Sequence, residues 1–137
     1  MPAVEAALRS HPARPPHPDA MSRCIEQCFT CAGTCTACAD ACLSERAIDS
    51  LLSCIRHNLD CAAICHATGS LVARSKSGAS RQVLEGQLSV CIAACRACGD
   101  ECRRHGDMHK HCRVCASACE ECAQACTDML AALRAVV

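Results

Sequence analysis

Residues 24–42 read CIEQCFTCAGTCTACADAC, with cysteine at 24, 28, 31, 35, 38 and 42. Steps of four and three alternate without a break. They average 3.5 residues, so every sulfur falls on one face of an α-helix, whereas a strand would need period two. The rhythm returns at Cys91, Cys95, Cys98 and Cys102, and again at Cys112, Cys115, Cys119, Cys122 and Cys126. Between these runs lie Cys54, Cys61 and Cys65, and Asn58 fills the slot that would complete their row. Four such rows predict an all-α, antiparallel up-down-up-down four-helix bundle with a cysteine-lined core.

Working outward from the stripes, breakers and caps set the expected boundaries. Residues 1–20 read as a short helix over Ala3 to Arg9 followed by a Pro/His linker, broken by Pro12, Pro15, Pro16 and Pro18. Residues 21–137 form one bundle domain without proline. Its helices are expected over Met21–Ser44, Ala47–Arg74, Ser80–His105 and Asp107–Arg134. Ser75–Ser80 is the clearest loop, with Ser80 as an N-cap; Gly106 is expected at C′ and Asp107 as the last N-cap.

The composition says what fills the core. Of 137 residues, 18 are cysteine and 25 alanine, against ten Leu, five Ile, seven Val and one Phe. The interior is therefore built largely from sulfur and methyl groups. Lys+Arg and Asp+Glu are both 14, a formal net charge of zero, which removes the electrostatic case for nucleic acid or an anionic membrane. Phe29 is the sole aromatic residue, so no base-stacking platform exists. No apolar signal region or membrane-spanning run is visible, so the expected compartment is the cytoplasm, where thiols stay reduced and clustered cysteines point to metal or redox chemistry.

Extending the stripes beyond their cysteines separates two ends. One continues into Met21, Thr68, Val72, Leu84, Leu88, Met129 and Leu133, an apolar plug. The other meets Cys42, Cys54, Asn58, Cys102, His105, Met108, His109 and Cys112, with His111 beside them, a ligand-lined mouth. Eight CxxxC pairs place two thiols one helical turn apart, leaving Cys54 and Cys112 unpaired near the mouth. Soft thiolates suit Cu(I), Zn(II) or iron–sulfur clusters. Charge separates these: about one Cu(I) per thiolate leaves a neutral core, whereas Zn(II) on four thiolates leaves −2 at each buried site. The dense stripes favour Cu(I). His and Met at the mouth suit ion transfer, while His57, His66, His11 and His17 read as non-ligands. Asn58 is equally a buried hydrogen-bonding spacer or a ligand. Glu26, Arg46, Arg56, Glu101 and Arg113 fall off the stripes and read as solvent faces.

Repeated CxxxC in four helices and the turn HGDMHKHC at 105–112 resemble the cysteine-rich four-helix-bundle copper storage proteins, the Csp family. The resemblance covers about residues 21–134 and, with 18 cysteines and no export signal, looks like the cytosolic branch. It implies many Cu(I) ions held by thiolates within each bundle and assembly as a homotetramer. A copper chaperone or copper-requiring enzyme would be the exchange partner. The rival readings are a zinc or toxic-metal thiolate buffer, a disulfide-cycling redox protein and a plain interaction bundle. No catalytic constellation shares a face, so an enzyme is not expected.

Overall fold

The computed structural model describes residues 2–75 and 80–135. The helices are α1 (Pro2–Arg9), α2 (Pro18–Leu43), α3 (Leu52–Ala73), α4 (Arg81–Arg104) and α5 (Lys110–Arg134), with a 3-10 turn over Ile48–Leu51 leading into α3. α2 packs against α3 and α5, and α4 packs against the same two, which closes the expected four-helix bundle. No helix among the described residues is long and apolar enough to cross a membrane.

The boundaries differ from expectation where backbone chemistry overrides the stripe. α2 begins at Pro18 rather than Met21, because proline's fixed φ and missing N–H suit the first helical turn. The segment after α2 tightens into a 3-10 turn instead of starting α3 at Ala47. Asp107 is not the cap of α5. His105 O accepts from the N–H groups of Met108 (3.3 Å) and His109 (3.0 Å), so Asp107 lies inside that turn and His109 occupies the N-cap position. Gly106 stands at C′, its N–H donating to Arg103 O at 3.2 Å, but without the left-handed φ expected there. Ser80 does cap α4, its Oγ accepting from Val83 N–H at 3.2 Å. The rest of that expected loop, residues 76–79, lies outside the described residues.

Small side chains let the helices approach closely. A Cβ on Gly99 of α4 would sit 3.3 Å from the Cys119 Cβ of α5, and one on Gly69 of α3 would sit 3.2 Å from the Cys28 Cβ of α2. Of the plug residues, Met21, Thr68, Val72, Leu84, Leu88 and Met129 are buried, while Leu133 is only partly buried and packs against the core. There the Thr68 hydroxyl donates to Ile64 O (2.7 Å) and accepts from Gln87 Nε2 (2.9 Å). α1 lies along α2 and sends Leu8 into the common core.

Candidate metal centre

All 18 cysteines are free thiols, none more than 2% exposed. Sulfur contacts run both along helices and between them. Cys31–Cys35 (3.8 Å) and Cys61–Cys65 (3.7 Å) lie within one helix. Cys35–Cys115 (3.6 Å), Cys65–Cys95 (3.6 Å), Cys91–Cys126 (3.7 Å) and Cys54–Cys102 (3.5 Å) join different helices. The result is one continuous column of sulfur along the bundle axis.

The packing sets CxxxC pairs beside thiols of two other helices. Four Sγ atoms lie within 4.8 Å of one another in Cys28/Cys91/Cys122/Cys126, in Cys31/Cys35/Cys61/Cys119, in Cys35/Cys98/Cys115/Cys119 and in Cys38/Cys42/Cys54/Cys112. Each draws on at least three helices, because neighbouring stripes interdigitate. Cys54 and Cys112, unpaired in sequence, thereby join Cys38 and Cys42. Four converging thiols also suit the tetrahedral geometry of Zn(II), so charge is what separates zinc from Cu(I) here. Burial is the largest influence on Cys42 and Cys112 and holds both above the ordinary thiol range, so these two are neutral in the empty protein.

Asn58 sits fully buried in this column. Its Oδ1 accepts from the thiols of Cys98 (3.1 Å), Cys115 (3.2 Å) and Cys102 (3.4 Å), and its Nδ2 donates to Cys54 Sγ at 3.8 Å. In the empty protein it is therefore a hydrogen-bonding hub.

At the mouth, His111 reaches the thiols. Its Nδ1 lies 3.5 Å from Cys38 Sγ and 3.6 Å from Cys112 Sγ, while Nε2 lies 2.8 Å from Glu45 Oε2. A carboxylate only accepts, so Nε2 carries the proton and a neutral ring turns its Nδ1 lone pair toward sulfur. His109 Nδ1 contacts the same carboxylate oxygen at 3.0 Å, with its ring stacked on His111 at 5.5 Å. A carboxylate that fixes the second nitrogen of a histidine is the usual support for a metal ligand. The His111 hydrogen bond is the main reason the Glu45 carboxyl lies below its ordinary range, and burial partly opposes it.

His105 donates to Glu101 Oε2 at 3.1 Å, and Arg104 to Glu101 Oε1 at 3.0 Å. The sequence places Glu101 on a solvent face, yet it is 8% exposed, with Arg104 and His105 one helical turn on bonded to its carboxylate. Met108 is 80% exposed, so its thioether stands at the outer surface rather than among the thiols. His57 bonds Ser53 O at 2.8 Å within its own helix turn, and exposed His66 packs edge-on against Phe29. Sequence reasoning missed Glu45 and misplaced Glu101. The four-residue step from Glu101 to His105 was a usable local signal; Glu45 lies 66 residues from His111 and offered none.

The family model for Csp, copper storage protein, matches residues 17–131. The chain belongs to the Csp copper storage protein family. The structure of Ccsp, a copper storage protein from Streptomyces lividans loaded with 10 copper equivalents, is 49% identical, with a TM-score of 0.89 over 93% of this chain and 98% of that one. A cytosolic copper storage protein from Streptomyces lividans carrying five coppers is 53% identical, with a TM-score of 0.80 over 82% and 93% of the two chains. The Cu(I)-bound copper storage protein BsCsp3 is 34% identical, with a TM-score of 0.70 over 80% and 97%. Within the Csp fold, the buried thiol column offers a continuous set of soft ligand groups, and the His-bearing turn lies at one end of it.

Proposed function

We propose that the chain holds about one Cu(I) per cysteine, bound by the 18 thiolates of its core, as a cytosolic store without catalytic activity. The observation that carries this reading is the unbroken column of buried thiols, whose quartets leave no room for an isolated site. Each Cu(I) replaces a thiol proton, so filling leaves the core neutral and weakens as pH falls. His111 hands ions between solvent and Cys38/Cys112, with His109 and His105 behind it and Met108 as the outermost soft donor. Asn58 is the remaining oxygen donor within reach of the inner thiols. The store exchanges copper with a chaperone or a copper-requiring enzyme. Exposed Leu43, Leu52, Leu59 and Val90 supply apolar surface for assembly as a homotetramer.

The test is anaerobic Cu(I) titration of the reduced protein against a competing chelator, read by native mass spectrometry. The expected result is near one copper per cysteine on a tetramer; saturation near one metal per four cysteines would reject the Cu(I) reading in favour of a zinc-type buffer. In the same assay the variant H105A/M108A/H109A/H111A should fill and empty several-fold more slowly at unchanged capacity. Unchanged rates would refute the mouth.

A further inference from the structure

The closed end of the column faces a coordination problem. A copper inside the column has thiols above and below it. In the last layer, Cys24 and Cys126, with Sγ atoms 3.8 Å apart, have further thiols on one side only. Beyond them on the same stripes stand Met21, three residues before Cys24, and Met129, three residues after Cys126. Both are 1% exposed and both line one cavity of about 160 Å³, together with Pro16, Leu84 and Leu133. Arg81 also borders the cavity, but its guanidinium is engaged by the Glu85 carboxylate at 3.2 Å and by the Leu133 carbonyl.

We propose that Met21 and Met129 complete a terminal Cu(I) site with Cys24 and Cys126, so that the end read from sequence as an apolar plug is a ligand-bearing cap. Cu(I) accepts soft sulfur donors, thioether included. A terminal copper closed by another thiolate would leave one more negative charge buried; a thioether closes it without charge. The mouth solves the same problem with the neutral Nδ1 of His111. Both ends of the column are thus closed by uncharged donors, imidazole at one and thioether at the other. Packing alone does not select methionine here, since Leu84, Leu88 and Leu133 fill the surrounding space, yet two of the chain's four methionines stand at this layer.

The site rests on the storage reading, and the experiment separates the two. Wild-type protein carrying [13C-methyl]methionine is titrated with Cu(I) and followed by NMR, in parallel with M21L/M129L, a nearly volume-conserving change. Both methyl resonances should shift during loading. The variant should surrender its weakest copper at about tenfold lower chelator concentration than wild type. Filling to about one copper per cysteine with either methyl unmoved overturns the paired site and leaves storage standing, as does a folded variant that matches wild type. A wild type that takes up no copper overturns storage itself. Should the variant fail to fold, the wild-type resonances still decide.

Discussion

Asn58 is the place where oxygen interrupts sulfur. Its carbonyl holds three thiols as donors, at 3.1, 3.2 and 3.4 Å, and those bonds exist only while the thiols carry protons. Copper removes the protons, so the amide favours the empty state and loses its partners on filling. Replacing it tests whether capacity follows thiol count. Asn58→Cys completes the row Cys54, 58, Cys61, Cys65 and should bind about one more copper per chain, counted by native mass spectrometry. An unchanged count would show that cluster geometry rather than thiol number limits filling. The reduced empty variant should also unfold at lower urea, by about 1–2 kcal/mol, because buried polar partners are lost.

Glu45 works at the scale of elements, tying the segment after α2 to the start of α5 through His111 (2.8 Å) and His109 (3.0 Å). Its carboxyl is lowered on folding, chiefly by the His111 hydrogen bond. A lowered carboxyl stabilises the fold above the ordinary carboxylate pKa, and that contribution is lost as pH falls through the lowered value. Hydrogen-exchange protection of the N–H groups of residues 44–51, relative to the intrinsic rate at each pH, should therefore fall as pH drops below the ordinary carboxylate range. Glu45→Gln should abolish that acid step and show low protection throughout; retention of the step would assign it to another group. What the sequence disclosed follows from the same geometry. A 3.5-residue period fixes which face of a helix is sulfur, so α2 to α5 were legible to within a few residues. The cap at His109 was not, because the turn from His105 consumes the Asp107 that looked like a cap. Nor were the quartets: their membership depends on how neighbouring helices slide along one another, and no single helix encodes that. Cys54 and Cys112 therefore looked solitary and are not.

For the molecule as a whole, charge offers the sharpest distinction between cargoes. The empty chain has a formal net charge of zero and a pI near 7.0. Cu(I) exchanged for a proton leaves that balance untouched, whereas each Zn(II) on four thiolates adds −2 to a core that held neutral thiols. Isoelectric focusing of empty and copper-filled protein should give coincident bands, and zinc-filled protein should focus at more acidic pH. An acidic shift on copper filling would show that thiolates outnumber the copper they hold. The quartets carry one more consequence. An ion shared by Cys38, Cys42, Cys54 and Cys112 would stitch α2, α3 and α5 together, and each further ion shared between helices would add another stitch. With few large aliphatic side chains to clamp the empty bundle, resistance to unfolding rises with each ion that binds only the native state. Fullness is then legible to anything that probes rigidity: a cell's proteases would cut depleted copies first and spare the laden ones, so the reservoir carries its own gauge.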